Sequence, residues 1–286
     1  MHRVWFITGA SSGIGRALAE AALKRGDDAV VCARRRAALD MLASTYGKSA
    51  LAIELDVTDA DARLRSVDAA LDRFGRIDVL ANIAGRGSLG AAEEFSPEQL
   101  REQMEVNFFA PAEMTRAVLP AMRAQRSGRI LQLTSVGSLV SIGGFGPYCA
   151  SKFALDGWSR ALRDEVRPLG IGVTIVAPGA FRTEFAGSVN MRPAQRIDAY
   201  RPVVDPVEAY LYGGDGKQPG DPAKAAEAMI AAVESDDPPL HLLLGQDAIG
   251  RWEQKQAEFS SEVARWRAVG EATAIDSATA PPIGGS

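Results

Sequence analysis

Eight residues near the N-terminus, Thr8-Gly9-Ala10-Ser11-Ser12-Gly13-Ile14-Gly15, constrain what this chain can fold into more than any others. They follow the apolar run Val4-Trp5-Phe6-Ile7 and precede an amphipathic segment beginning near Ile14, so a strand must become a helix within a few residues. Glycine permits the tight turn and lets backbone approach a neighbour that a side chain would hold away. The free amides and positive dipole end of the following helix then attract an anion such as a pyrophosphate. The glycines are spaced GxxxGxG, whereas the general dinucleotide fingerprint is GxGxxG, so that match is partial. Taken alone, the turn also reads as a plain strand-to-helix loop.

Apolar runs recur near residues 3–8, 28–33, 50–55, 77–82, 129–134, 172–177 and 239–244, with amphipathic segments between them. The alternation predicts a doubly wound α/β fold, a parallel sheet of about seven strands with helices on both faces. Right-handed crossovers place the ligand crevice at the carboxyl ends of the strands, where strand order reverses. Gly9, Asp56, Asn82, Ser135 and Pro178 each fall at or just after such an end. One domain is expected over 1–276, with an Ala/Pro/Gly/Ser-rich tail, 277–286, expected to be disordered. The stretch 183–220 lacks clear periodicity and is broken by Pro193, Pro202, Pro206 and several glycines, as in a long functional or disordered loop. Beyond it, a helix is predicted over Asp221–Glu234, with Asp221 as cap and Pro222 at its first position. A last helix is predicted from Asp247 to about Val269. Its Trp252, Phe259 and Trp266 recur at helical spacing, which suits packing on the core or on a partner subunit.

Composition narrows the function classes. With 32 basic and 36 acidic residues and no basic run interleaved with aromatics, nucleic acid is not expected as a partner. No apolar stretch reaches the roughly 18 residues needed to span a bilayer, so the reading is soluble and cytoplasmic. Two cysteines make no disulfide framework, and His2 and His241 are too few and too scattered for a metal site. Cys32 reads as a packed small residue. Cys149, beside Tyr148, could be oxidised but reads first as a small residue on a buried helix face.

Five further stretches carry chemistry. Asn82-Ile83-Ala84-Gly85 follows an apolar run, Asn107 interrupts a helical pattern, and Ser135 follows Ile130-Leu131-Gln132-Leu133. Tyr148-Cys149-Ala150-Ser151-Lys152 opens a helix, and Pro178-Gly179-Ala180-Phe181-Arg182-Thr183 follows Val173-Thr174-Ile175-Val176. Tyr148 and Lys152, four apart, lie on one helix face. A tyrosine with its ordinary pKa of about 10 is a poor acid or base at neutral pH, but a lysine ammonium and an oxidised nicotinamide beside it would stabilise the phenolate. Tyr148 could then protonate a carbonyl oxygen or deprotonate an alcohol. Ser135 can hydrogen-bond the same oxygen, with Ser138 as the competing serine.

In order and spacing, these motifs resemble the short-chain dehydrogenase/reductase family in its single-domain form, from Arg3 to about Phe185. The family's Asn-Asn-Ala-Gly reads Asn82-Ile83-Ala84-Gly85 here, a mild departure that leaves the glycine wall intact. The resemblance implies a nicotinamide dinucleotide cradled by Gly9, Ser11, Ser12, Gly13, Ile14 and Gly15, with Asp56 and Val57 at the adenine. Asn82, Ala84 and Gly85 would form a wall, Pro178 and Gly179 would also bind the cofactor, and Thr183 would bond the nicotinamide amide. It also implies catalysis by Ser135, Tyr148 and Lys152, and a substrate-covering insertion over 183–220. Subunits would pair as a homodimer or homotetramer through the helices that carry Asn107 and Tyr148. Asn107 keeps two readings, a buried side chain bonding a nearby carbonyl or the holder of a water that serves Lys152.

Cofactor choice falls at the end of the second strand. Ala33 stands where a carboxylate would bond the ribose of NAD, and Arg34 follows with a planar fork suited to a 2′-phosphate, so NADP(H) is favoured over NAD(H). The substrate is read as a fairly apolar carbonyl compound or alcohol, met by Val136, Leu139, Val140, Phe145, Phe181 and Phe185, with Tyr200, Tyr210 and Tyr212 on the covering loop. Arg182, Arg192, Arg196 and Arg201 keep open a carboxylate or carrier phosphate, as in a 3-oxoacyl-thioester reductase. A catalytically idle redox sensor is the rival from another class, opposed by the intact Ser-Tyr-Lys set. A sugar-nucleotide epimerase would want a larger C-terminal domain.

Overall fold

The computed structural model describes residues 2–186, 190–214 and 216–275. The expected tail 277–286 lies outside them. Among the described residues, seven parallel strands form a single sheet: β1 (Val4–Thr8), β2 (Asp28–Ala33), β3 (Ala50–Glu54), β4 (Val79–Asn82), β5 (Gly128–Leu133), β6 (Ile171–Pro178) and β7 (His241–Leu244). Their order is β3-β2-β1-β4-β5-β6-β7, with Ile7 of β1 registered against Val31 on one side and Ala81 on the other. This is the doubly wound topology expected, with its reversal between β1 and β4. The fourth and seventh strands begin two residues later than their apolar runs. Asp78, just before β4, uses its carboxylate to accept the Val4 amide of β1 at 2.8 Å.

Alternation along β1 supplies both faces of the core. Trp5 and Ile7 pack with Leu18 and Ala22 of α1 (Gly13–Lys24), Leu39 of α2 (Arg36–Tyr46), and Met229 and Val233 of the helix Pro222–Glu234. Phe6 faces the other way, toward Val67 of α3 (Ala60–Phe74), Met114 and Val118 of α5 (Ala110–Gln125) and Leu162 of α6 (Gly146–Val166). Each such large side chain contributes about 1.5–3 kcal/mol by leaving water. Between α3 and α5 lies the short α4 (Pro97–Met104), capped reciprocally by Ser96 and Gln99.

The insertion, expected as a loop, contains a helix, α7 (Arg201–Gly213), and is a correction to that reading. Pro202 sits in its first turn, where no amide is needed, but Pro206 lies inside and interrupts the sequence signal. The segment is fastened by Glu94, fully buried, which accepts the Ala91 amide at 2.7 Å and the Ile197 amide at 2.8 Å and pairs with Arg201. Next, α8 (Pro222–Glu234) begins as expected: the Asp221 carboxylate accepts the Ala223 amide at 2.8 Å, with Pro222 in the first turn.

The last helix, α9 (Gln246–Glu271), overruns its predicted bounds at both ends. Only Ala248 in its first turn is buried, and its aromatic residues do not enter the core: Trp252 is half-buried, while Phe259 and Trp266 are 62% and 64% exposed. The reason is topological, since β7 is the edge strand and α9 runs beyond it.

Asn82 provides a buried tie between strands and helix. Its amide nitrogen lies 3.1 Å from the Pro111 carbonyl and 3.0 Å from both Thr115 Oγ1 and Gln132 Oε1, joining β4 to β5 and α5. Removing it strands polar atoms in the interior, so Asn82→Ala should lower unfolding free energy by about 1–3 kcal/mol in urea titration. An unchanged urea midpoint would contradict this assignment.

Candidate active site

The glycine turn is built by contact of backbone with backbone. Gly9 holds φ at +70°, and a Cβ there would come within 2.8 Å of the Ala84 amide nitrogen; a Cβ on Gly15 would overlap the Gly9 carbonyl. No residue other than glycine fits either place without moving the strand ends apart. Ser12 precedes α1 in extended backbone and makes no side-chain cap, which leaves the first-turn amides of Gly13, Ile14 and Gly15 available to an anion.

This turn forms one wall of a cavity of about 1180 Å³ at the carboxyl ends of β1, β4, β5 and β6. Drug-sized ligands typically fill about 300–1,000 Å³, so there is room for a dinucleotide and a second small molecule together. Gly9, Ser11, Ser12, Gly13, Ile14, Gly15, Arg34, Asp56, Val57, Ala84, Gly85, Ser135, Tyr148, Lys152, Pro178, Gly179 and Thr183 all line it. Asn82 does not: its side chain turns into the network with Thr115 and Gln132, while Ile83, Ala84 and Gly85 supply the wall.

At one end lie Ala33, Arg34 and Arg35, with Asp56 opposite. Arg35, which the sequence reading passed over in favour of Arg34, donates to Ser11 Oγ at 3.2 Å and to Glu184 at 3.0 Å, so it spans the turn and the start of the insertion. Burial works against the Asp56 carboxylate. Hydrogen bonds from the Thr58 amide (3.0 Å) and hydroxyl (2.7 Å), with nearby Arg34 and Arg86, outweigh burial and hold the carboxyl below its ordinary range.

Toward the other end, Tyr148 and Lys152 project from the first turns of α6, whose opening includes Pro147. Both are nearly covered, at 8% and 4% exposure. Ser135 hydrogen-bonds Tyr148 and accepts the Gly137 amide at 3.0 Å. Ser138, the competitor, is buried and donates to the Ser135 carbonyl at 2.8 Å, so Ser135 is the serine that faces the cavity. Lys152 Nζ donates to the Leu133 carbonyl at 2.8 Å and lies 5.9 Å from the centre of the Tyr148 ring. Burial lowers the Lys152 ammonium from 10.5 to about 8. Within the protein alone, burial pushes the Tyr148 hydroxyl upward and the Ser135 bond opposes it only in part; the lowering expected above rests on Lys152 together with an oxidised nicotinamide.

Asn107 is fully buried in a π-helical turn, Glu105–Phe109, between α4 and α5. Such widened turns re-aim single side chains. Asn107 accepts the Arg86 amide at 3.0 Å and donates to the Arg86 carbonyl at 2.9 Å and to Ser151 Oγ at 3.0 Å. This matches the first of its two readings, a buried side chain bonding nearby backbone. A Cβ on Gly85 would lie 3.0 Å from Asn107 Oδ1 and 3.4 Å from Lys152 Nζ, so the glycine lets these two groups share one corner.

The cavity beside Tyr148 is apolar. Phe145 and Phe185 flank its ring at centroid distances of 6.1 and 5.6 Å, and Val136, Val140, Phe181 and Tyr210 contribute as expected. Ile142, Val207 and Leu211 join them, and Cys149 also lines it, with burial raising its thiol. Leu139 packs elsewhere, and Tyr200 and Tyr212 turn away: Tyr200 donates to Glu93 at 2.6 Å, and Tyr212 lies under Arg192. The arginines proposed to hold an anion are engaged. Arg192 and Arg196 pair with Glu208, Arg201 with Glu94 and Asp205, and Arg182 donates to the Gln218 carbonyl.

A doubly wound sheet, an uncapped helix behind a glycine turn and a Ser-Tyr-Lys group facing one crevice define a dinucleotide-dependent oxidoreductase site. Comparison with known proteins gives the family. The short chain dehydrogenase profile matches residues 3–194, and the chain belongs to that family. It is 36% identical to oxidoreductase BOA17 of Botryotinia fuckeliana across 96% of this chain and all of that protein. A short-chain dehydrogenase from Streptomyces avermitilis superposes with a TM-score of 0.91 at 43% identity, covering 96% of this chain and all of that one. Another from Burkholderia cenocepacia, solved with NADP, superposes at 0.71 with 27% identity, covering 92% of this chain and 97% of that one. The protein is therefore an NAD(P)-dependent oxidoreductase. Among the described residues, no helix is long and apolar enough to cross a membrane.

The buried ammonium has a stability signature. Lys152 is charged in the unfolded chain up to 10.5 but in the folded one only to about 8. Its burial thus destabilises the fold below pH 8, and the penalty fades as pH rises to 10.5. Lys152→Met should unfold at higher urea than the parent at pH 7, by about 1–3 kcal/mol, with the gap narrowing from pH 8 to 10. A gap that does not change with pH would contradict the assignment.

Proposed function

We propose that this protein is an NADP(H)-dependent oxidoreductase acting on a fairly apolar carbonyl compound or the matching secondary alcohol. The observation that carries this is the position of Ser135, Tyr148 and Lys152 between a dinucleotide cradle ending in two arginines and an apolar wall. Bound in the cradle, the nicotinamide supplies or accepts the hydride. The chain's residues supply the rest. Ser135 donates a hydrogen bond to the reacting oxygen, and Tyr148 hands it a proton or removes one. Lys152 keeps positive charge beside the phenol and favours its ionised form. Asn107 fixes Arg86 and Ser151 and so steadies the corner in which Lys152 sits. The flanking Phe145 and Phe185 exclude water and favour a substrate without charge near the reacting carbon.

Engagement of Arg182, Arg192, Arg196 and Arg201 supports an apolar substrate over a carboxylate or carrier phosphate, because recruiting any of them breaks an existing bond. Exposed Phe109, the last residue of the π-helical turn that leads into α5, and Phe153 on α6, 47% and 44% exposed, support pairing of subunits through those helices.

The cofactor preference is read at Arg34 and Arg35. Ala33 offers no carboxylate to the ribose, while the Arg34 guanidinium can bond a 2′-phosphate, a charge-assisted contact of about 1.5–3 kcal/mol, and Arg35 is held beside it by Ser11 and Glu184. Titration should therefore show NADPH binding about ten- to hundredfold tighter than NADH, with Arg34→Ala narrowing the ratio. Equal or tighter NADH binding by the parent would refute the preference.

A further inference from the structure

The turn after β6 is tied to the last helix. Where β6 ends, the Gly179 amide donates to the Leu244 carbonyl of β7 at 2.9 Å. The next amide, Ala180, has passed the end of β7 and is taken instead by Asp247 Oδ2, in the first turn of α9, at 2.8 Å. The two glycines around that carboxylate make its place: a Cβ on Gly179 or on Gly245 would collide with it, and Gly245 also holds φ at +99° to start α9. Asp247 itself lines the cavity beside Pro178, Gly179 and Ala180. Thus a residue outside the matched family profile, 67 positions from Ala180, completes this wall.

We propose that Asp247 is a positioning residue that fixes the Pro178–Ala180 turn, and through it the nicotinamide half of the cofactor. The inference rests on the dinucleotide reading above. A carboxylate acceptor binds an amide more strongly than a neutral oxygen does, so the turn is held against the push of a bound ring. Without it the Ala180 amide loses its partner and the turn can shift, while the glycine turn, Arg34 and Asp56, which would hold the adenosine end, are left as they are. The effect of losing Asp247 is confined to one half of the ligand.

Two probes separate the halves: NADPH, followed by nicotinamide fluorescence, and adenosine 2′,5′-bisphosphate, which lacks the nicotinamide. Asp247→Ala should weaken NADPH about tenfold and reduce its fluorescence enhancement, with the bisphosphate affinity held within about twofold. Asp247→Asn, which keeps an oxygen acceptor, should restore NADPH binding to within about threefold of the parent. Unchanged NADPH binding by the alanine variant would overturn the proposal, as would equal loss of both ligands or failure of asparagine to rescue. A parent protein that binds neither probe would overturn the dinucleotide reading itself, and the inference with it.

Discussion

Where Gly9 meets Ala84 and Gly15 meets Gly9, backbone packs on backbone with no room for a side chain, and the site follows from that closeness. The contact brings the end of β1 against the end of β4 at the reversal of strand order, the place where a parallel sheet opens a crevice. It also sets the first turn of α1 so that its amides face that crevice. A methyl group at either glycine would push the strand ends apart, and the wall made by Ile83, Ala84 and Gly85 would move with them. Glycine adopts the positive φ of this turn without strain, and the anion site that the turn opens needs no charged side chain.

The opposite side of the crevice trades stability for chemistry. Lys152 and Tyr148 are both held where water would normally solvate them, and burial disfavours the charged form of each. The surroundings limit the cost. The Leu133 carbonyl takes the ammonium, Ser135 bonds the phenol, and the π-turn places Asn107 to hold Arg86 and Ser151. A buried pair of this kind is idle as structure, since an apolar pair would pack there at less cost. Its presence accords with the proton-transfer role proposed for these residues.

The strands, the glycine turn and the spacing of Ser135, Tyr148 and Lys152 were legible because each is a local signal: period, turn chemistry, or position at a strand end. What was not legible depends on direction or distance. Asn82 stands in a motif at the cavity, yet the parity of β4 turns its side chain to the back of the sheet. The helix α7 was hidden by Pro202 and Pro206, which read as breakers although only Pro206 lies inside the helix. Tyr200 and Tyr212 are near the cavity in sequence order, but Glu93 and Arg192 draw them away from it. Arg35 was overshadowed by Arg34, one residue nearer the strand end. Nothing local marks Asp247, whose meaning lies in Ala180 on another strand end.

The central claim is that Ser135, Tyr148 and Lys152 move a proton while NADP(H) moves a hydride to or from an apolar carbonyl. The most direct test is steady-state oxidation of NADPH, followed by nicotinamide absorbance, with apolar cyclic or aryl ketones, short keto acids and 3-oxoacyl thioesters in parallel, for the parent and for Tyr148→Phe. The account predicts turnover of the apolar ketones above the other two classes, falling by about a hundredfold or more in the phenylalanine variant. Preference for keto acids or thioesters, or near-parental turnover by Tyr148→Phe, would contradict it.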